Sequence, residues 1–245
     1  IIGLTGSPFR LDKKQFMSDI FDVQIAGQTP AEMIALGLLV GCQYFRVKGI
    51  DTKGVHVKNG DFNQDELSVV CSDPEVIASA VQNYKDICPD RLFICFAVDV
   101  KHAKLLKEEF VRQGINAHVI EADTPDKTRQ KLFKQLAKGE TQGLVSVGCL
   151  AIGFDVPIVS CIICCRPTMS ISFWIQLVGR GMRTADGKID CYVLDQANNL
   201  SRFPTIENLT YPELEDNDFE VKPTPMKECP ECQRWVAQFE SKCVC

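Results

Sequence analysis

Apolar segments alternate with amphipathic segments from Arg91 to Asn199. Continuous apolar stretches predict strands at residues 92–97, 117–121, 143–147, 158–165 and 190–194. Apolar spacings of three and four residues predict helices at 100–113, 125–138 (with Thr124 as cap) and 170–183. Strands that are apolar throughout and alternate with helices are typical of an α/β fold, in which helices cover both faces of a parallel sheet. We expect residues 153–157 and the approach to Thr168 to lie together at the carboxyl edge of this sheet.

The flanking segments are less regular. Residues 1–5 suggest a buried strand, and a chain that starts inside a strand without Met is expected to be part of a longer protein. Helices are predicted from Pro30 to about residue 39 and at 64–71 and 74–86, strands at 43–47 and 54–58, and a loop at 59–63. Prolines and an acidic run after Leu200 predict a linker. The expected division is 1–28, 29–200, a linker at 201–226, and 227–245.

The helix predicted at 170–183 has two distinct faces. Its apolar face consists of Ile171, Trp174, Ile175, Val178 and Met182. The opposite face carries Gln176, Gly179, Arg180 and Arg183, in which two arginines one turn apart form a fork suited to phosphate oxygens. A solvated helix surface is the simpler interpretation. Gly179 and Gly181 argue against it, because each costs a helix about 1 kcal/mol relative to alanine and folding alone gives no reason for them.

Composition restricts the function only weakly. The 245 residues can bury a full core, and the formal net charge of −5 argues mildly against a nucleic-acid partner. Much of that acidity is local, at Glu213, Glu215, Asp216, Asp218 and Glu220. The longest apolar runs are too short to cross a bilayer, so no membrane association is expected. No signal peptide is visible, which favours the reducing cytoplasm.

The thirteen cysteines form two groups. Nine lie in apolar or mixed segments, where cysteine acts as a small hydrophobic residue. The other four, Cys229, Cys232, Cys243 and Cys245, lie close together near the end of the sequence. The C-x-x-C and C-x-C spacings predict a small zinc ribbon with a structural Zn²⁺ ion. Unstructured tail thiols are the alternative.

The ordered motifs resemble those of superfamily 2 helicases. Residues 176–183 (QLVGRGMR) resemble motif six, residues 153–157 (GFDVP) motif five, and residues 4–10 (LTGSPFR) motif three. Residues 92–103 correspond to motif four. Within the superfamily the chain looks most like the bacterial and phage DEAD/DEAH-type DNA helicases of the UvsW and XPB branch. The resemblance implies a RecA-like second motor lobe at 29–200, with residues 1–28 as the end of the first lobe.

The resemblance also implies roles for individual residues. Arg180 and Arg183 would be arginine fingers that reach the γ-phosphate of ATP, and Gln176 would support the phosphate or the attacking water. Asp155 would accept a hydrogen bond from the ribose hydroxyl, with Gly153 and Gly179 giving room. Thr5 and Ser7 would couple ATP binding to lobe closure. A first lobe would hold most of the ATP and Mg²⁺, because the sequence contains no G-x-x-x-x-G-K-[ST] motif. The chain alone is therefore expected to be inactive as an ATPase.

Single-stranded DNA would cross both lobes, and the resemblance implies contacts at Ala97, Asp99, Thr124, Ser146 and Val147. Val147 replaces the threonine of many relatives, with Ser146 as a possible substitute. His102 is expected on a helix surface rather than at the DNA, and Asp155 before Val-Pro could instead shape a turn.

Two other functions remain open. A restriction-enzyme motor subunit shares the same motor motifs. A non-catalytic adaptor would use the lobe and the zinc ribbon to bind nucleic acid or protein, but it would have no use for phosphate-binding arginines.

Overall fold

A single eight-stranded sheet organises the structure, a computed structural model that describes residues 2–8, 17–47, 49–148, 155–211, 221–231 and 234–238. The strand order is β5-β6-β4-β7-β8-β1-β10-β9. The first six strands in this order run parallel, and β10 and β9 extend the sheet in antiparallel fashion. The prediction of an α/β fold with a mostly parallel sheet is confirmed.

The strands are β1 (Gly41–Arg46), β2 (Val57–Lys58), β3 (Asp61–Phe62), β4 (Phe93–Phe96), β5 (Ala117–Ile120), β6 (Gly143–Ser146), β7 (Cys161–Cys164), β8 (Asp190–Asp195), β9 (Met226–Glu228) and β10 (Trp235–Ala237). The helices are α1 (Pro30–Ala35), α2 (Gln64–Cys71), α3 (Pro74–Ile87), α4 (Val100–Arg112), α5 (Asp126–Ala137) and α6 (Ile171–Gly179). No described helix is long and apolar enough to span a membrane.

Each face of the sheet has its own hydrophobic core. Helices α5 and α6 cover one face, where the fully buried ring of Trp174 packs near Phe203. Helices α3 and α4 cover the other, where the rings of Tyr84 and Phe110 pack on Phe93. A Cβ atom at Gly143 would lie 2.1 Å from the Phe93 ring, so only glycine fits beside it. Burial of both faces explains why the parallel strands are apolar throughout.

Side-chain caps explain where most helices begin. Asp73 caps α3, Asp99 caps α4 and Ser170 caps α6, each by accepting a hydrogen bond from a backbone N–H of the first turn. The predicted cap of α5 by Thr124 is wrong. The Thr124 hydroxyl accepts from the Glu121 N–H at 3.0 Å and so shapes the turn before the helix, whose cap position is Pro125.

Two predictions for the first third of the chain are wrong. Residues 2–8 form no strand, and Ile2 and Leu4 are 94% and 97% exposed, because no described strand pairs with them. The loop predicted at 59–63 contains instead the turn of the β2–β3 hairpin. Asn59 and Gly60 both have positive φ, as a two-residue Asn-Gly hairpin turn requires.

The segment after β8 packs on the lobe where the sequence suggests a linker. Phe203, Ile206 and Leu209 are buried in the core. The indole N–H of Trp174 donates to the Pro204 carbonyl at 3.1 Å, and the Tyr44 hydroxyl donates to Glu207 at 2.9 Å. At least residues 201–209 therefore belong to the lobe. Pro204 fits this path because residues 201–209 contain no strand and no α-helix.

The last described residues form a hairpin that joins the main sheet. Strand β10 pairs with β1 through Trp235 and Tyr44, and the Arg46 guanidinium lies 4.6 Å from the centre of the Trp235 ring. This attachment is not expected from the sequence, which suggests a separate ribbon. A zinc ribbon as such is not shown.

His102 occupies neither of the positions considered from the sequence. Its side chain is completely buried, and its Nδ1 accepts a hydrogen bond from the Val98 N–H at 3.3 Å. Burial lowers the pKa of His102 to about 4, with a smaller opposing effect of Asp99. The helix-surface expectation is wrong because this position of α4 faces the sheet.

Acid should therefore weaken the fold through His102. The folded-state pKa lies below the unfolded-state value, so the unfolded chain binds more protons as the pH falls from about 6.5 to about 4. We expect His102 to contribute a loss of about 2 kcal/mol in the free energy of unfolding between pH 7.5 and pH 5. His102→Asn keeps an acceptor near Nδ1 but does not titrate, so it should lose less stability than the wild type over this range in urea unfolding. Equal pH dependence of wild type and His102→Asn would contradict the assignment.

Candidate functional site

Asp155, Arg180 and Arg183 form one cluster. Arg183 Nη1 donates to Asp155 Oδ1 at 2.8 Å. Burial lowers the pKa of Arg180, the nearby Arg183 charge lowers it further, and the Asp155 carboxylate opposes both. Two guanidinium groups beside one carboxylate leave a net positive charge. The cluster therefore suits an anion with several oxygens, such as a phosphate chain.

The sequence predicts that both arginines lie on the helix, but in the structure they follow its last residue. Helix α6 ends at Gly179, Arg180 is its C-cap residue, and Arg183 forms an isolated antiparallel bridge with Leu39. The Val40 N–H donates to the Met182 carbonyl at 2.8 Å in the same contact. This pairing ends the helix early, yet it still brings both arginines to Asp155.

Gly179 and Gly181 differ in the space around them. A Cβ atom at Gly181 would lie 2.2 Å from Cys191 Sγ and 2.9 Å from Ile162, so close packing on the sheet requires glycine. The expectation that folding gives no reason for Gly181 is therefore wrong. A Cβ atom at Gly179 would meet nothing within 4 Å, which leaves open space beside the arginines.

The cluster lies at the amino edge of the parallel sheet. Leu39 precedes β1, the Pro157 carbonyl bonds to Lys188 just before β8, and Asp155 reaches Arg183 in the same region. The expectation that this motif shares the carboxyl edge with Thr168 is wrong. The crossover from β6 must return to the amino edge before β7 can run parallel to it, and α6 returns in the same way before β8.

An open groove of about 500 Å³ borders Asp155. One wall is α5, including Lys134, and the other is formed by residues 155–158 and 184–186. Asp155 itself has a side chain that is 78% exposed. The carboxylate is therefore accessible to a ligand or a second domain.

Lys188 also belongs to this site, although it is not among the residues predicted from the sequence. Its Nζ donates to the carbonyls of Pro157 at 2.8 Å, Val159 at 2.5 Å and Arg183 at 2.8 Å. A lysine in the turn before a strand has no periodicity or motif spacing that would mark it. Its role depends on three backbone oxygens whose convergence only the folded chain reveals.

The five residues expected at nucleic acid lie at the opposite, carboxyl edge. They follow or end the adjacent strands β5, β6 and β4, where the Ala97 N–H donates to the Ser146 carbonyl at 2.9 Å and the Val147 N–H to the Ile120 carbonyl at 3.3 Å. The side chains of Ala97 and Ser146 are buried, whereas those of Asp99, Thr124 and Val147 are partly exposed. The structure thus brings the set together, with Asp99 also committed to capping α4.

The remaining predicted residues are less informative. Gln176 is half-buried on α6. The Ser7 N–H donates to the Thr5 hydroxyl at 3.1 Å within residues 2–8. Gly153 lies outside the described residues.

Cys229 is the one predicted zinc ligand within the described residues; Cys232, Cys243 and Cys245 lie outside them. Cys229 is buried just after β9, and its N–H donates to the Arg234 carbonyl at 2.8 Å just before β10. No group of three or more His, Cys, Asp or Glu side chains able to hold a metal occurs in the described part of the chain.

The central part of the chain is similar to known proteins. Residues 79–185 match the helicase conserved C-terminal domain. The chain is 30% identical over 182 residues to a 51.5 kDa protein of Lactococcus phage (isolate 7-9), covering 74% of this chain and 40% of that protein. It is 27% identical over 230 residues to the "Putative ATP-dependent helicase IRC3" of Saccharomyces cerevisiae, covering 91% of this chain and 33% of that protein. The chain thus spans two fifths or less of the length of these relatives.

Solved structures agree on the fold. A fragment described as a "putative HsdR subunit of a type I restriction enzyme" from Vibrio vulnificus YJ016 superposes with a TM-score of 0.52 at 17% identity, covering 66% of this chain and 33% of that one. The mostly parallel sheet of the structure agrees with this likeness and with the match of residues 79–185 to the helicase conserved C-terminal domain.

Proposed function

We propose that the chain is the second motor lobe of an ATP-dependent DNA helicase or translocase. The observation that carries this proposal is the cluster of Arg180, Arg183 and Asp155 at an open groove. The two arginines would stabilise charge on the transferring phosphoryl group, and Gln176 would support the phosphate or the attacking water. Gly153 and Gly179 would leave room for the nucleotide.

ATP and Mg²⁺ would be held mainly by a first lobe, which supplies the phosphate-cradling loop. In the absence of that lobe, the ion pair between Asp155 and Arg183 keeps both side chains in place. When ATP binds, the ribose hydroxyl would become a partner of Asp155 and the γ-phosphate a partner of Arg183. The two side chains would then exchange partners within the same cluster. Thr5 and Ser7 would transmit closure of the lobes.

Single-stranded DNA would bind at the carboxyl edge, along Ala97, Asp99, Thr124, Ser146 and Val147. Because Ala97 and Ser146 have buried side chains and the Ala97 N–H donates to the Ser146 carbonyl, we propose that they contribute through the backbone that they hold in place at this edge, as sequence-independent binding allows. The chain from Val147 to Asp155 joins this edge to the arginine cluster. One segment would therefore contact both the DNA and the nucleotide. The UvsW and XPB branch and a cytoplasmic location remain part of the proposal.

The restriction-enzyme motor subunit is the nearest alternative, and it predicts the same arginine chemistry. The non-catalytic adaptor predicts none. A first lobe without a Walker A loop would favour the adaptor over the motor.

We also propose a structural Zn²⁺ ion bound by Cys229, Cys232, Cys243 and Cys245. The support is the β9–β10 hairpin, in which Cys229 directly follows the end of β9, as the first ligand of a metal-binding knuckle requires. Zinc would link the tail thiols and hold the hairpin, with no part in the reaction.

Arg180→Ala should abolish DNA-stimulated ATP hydrolysis by the protein that contains both lobes, while DNA binding is largely retained. Loss of an arginine that stabilises the transferring phosphoryl group typically lowers kcat about 10³–10⁵-fold. Phosphate release and fluorescence anisotropy with labelled single-stranded DNA measure the two properties. Arg112→Ala, at an exposed arginine of α4, is the control and should hydrolyse ATP normally. Near-normal turnover by Arg180→Ala would count against the finger assignment.

Asp155→Ala should raise KM for ATP roughly tenfold, because it removes a charged acceptor for the ribose hydroxyl. The same change should have little effect on KM for 2′,3′-dideoxy-ATP, which lacks that hydroxyl. Steady-state kinetics with both nucleotides therefore separate ribose recognition from a purely structural role. If Asp155 only shapes its turn, both KM values should rise equally.

The chain should bind about one zinc ion, and Cys229→Ser should lose it. Metal content of the chain purified without chelators, measured by mass spectrometry, gives the stoichiometry. Cys42→Ser removes a thiol of β1 outside the tail and should retain the metal. Absence of zinc in the wild type, or its retention in Cys229→Ser, would refute the zinc ribbon.

A further inference from the structure

Lys188 joins two backbone segments at the arginine cluster. Its ammonium group carries three N–H donors, and the three carbonyls of Pro157, Val159 and Arg183 use all of them. Pro157 lies two residues after Asp155, and Arg183 is the other member of the ion pair. The lysine therefore connects the backbones of the same two segments that Asp155 and Arg183 connect through their side chains.

The arrangement needs a cation. Three carbonyl oxygens that converge on one point repel each other, and a cation that accepts all three as partners removes that repulsion. Val159 is completely buried, and burial lowers the pKa of Lys188 below its usual value. Charge-assisted hydrogen bonds are stronger than neutral ones, and removing one partner leaves the other groups unsatisfied.

We propose that Lys188 is a positioning residue for the arginines, and that it fixes the backbone of Arg183 relative to the segment that carries Asp155. This inference rests on the proposed function. The positioning role matters because the side chains of the cluster would exchange partners when ATP binds. The Asp155–Arg183 ion pair must open for Arg183 to reach a phosphate, whereas the Lys188 bonds involve only backbone oxygens and remain. Lys188 thereby holds Arg183 near the nucleotide while its side chain changes partners.

A purely structural lysine is the competing interpretation. It would lower stability when removed, but its effect on the rate would not depend on Arg183. Residues that act through one another show non-additive effects, and residues with separate roles show additive ones. A double-mutant cycle between Lys188 and Arg183 therefore separates the two interpretations.

The experiment measures steady-state phosphate release by the two-lobe protein that carries Lys188→Met, Arg183→Ala or both changes. We expect Lys188→Met to lower the rate at saturating ATP at least tenfold with KM changed less than threefold. In the Arg183→Ala background, the same change should lower the rate less than twofold. An equal loss in both backgrounds, or a normal rate for Lys188→Met alone, would overturn the proposal.

Two further variants separate an effect on the rate from an effect on folding. Arg91→Met removes another partly buried cation at the amino edge, one that donates to the Ser160 and Asp190 carbonyls on the other face of the sheet. It should lower the melting temperature as Lys188→Met does but leave the rate at 25 °C unchanged. Lys188→Gln keeps one donor group, so its rate should fall between those of wild type and Lys188→Met. A rate loss in Arg91→Met as large as in Lys188→Met would also overturn the proposal.

The proposed function and the positioning role of Lys188 can be refuted separately. If Arg183→Ala hydrolyses ATP like the wild type, the proposed function is wrong. If Arg183→Ala is slow and Lys188→Met is fast, only the positioning role is wrong.

Discussion

The common direction of β6, β7 and β8, which all run parallel in the sheet, is the constraint on which the site depends. Two consecutive strands that run parallel need a connection that travels the full length of the sheet, so the chain that leaves β6 at the carboxyl edge must reach the amino edge before β7 begins. Asp155 lies at the end of that passage. The same rule brings α6 back before β8 and places Arg183 beside Asp155. The site is therefore a consequence of topology, even though its residues come from separate crossovers.

The charged groups of the cluster are three cations, Arg180, Arg183 and Lys188, and the carboxylate of Asp155. Asp155 is largely exposed and pairs with Arg183, while burial lowers the pKa values of Arg180 and Lys188. Lys188 is satisfied by carbonyl oxygens, which carry no net charge to cancel its own. The surplus positive charge thus stays at the groove. An anionic ligand would relieve the repulsion between the two arginines, which is a physical reason for affinity before any specific contact is considered.

The sheet, the order of the helices and the residues of the cluster can be predicted from the sequence, because each depends on local periodicity or on motif spacing. The sequence is not sufficient for the edge at which the cluster lies, since the general rule for ligand sites in such sheets points to the carboxyl edge. Arg183 leaves the helix because it pairs with Leu39, far away in sequence. His102 is another long-range case, in which tertiary packing decides burial. The Asn59-Gly60 turn, by contrast, could be predicted from its local sequence, because Asn-Gly is typical of a two-residue hairpin turn.

Strand β1 connects the two parts of the molecule that the sequence treats as unrelated. At its amino end, Leu39 and Val40 pair with Arg183 and Met182, and at its centre Tyr44 pairs with Trp235 of the C-terminal hairpin. The hairpin covers what would otherwise be an open strand edge, where unpaired backbone groups invite association with another chain. A strand that is paired on both sides also has less freedom to shift along its axis. The hairpin and the arginine segment therefore constrain the same strand, so any ordering of the hairpin, by zinc or by packing alone, also restrains the backbone against which Arg183 is aligned.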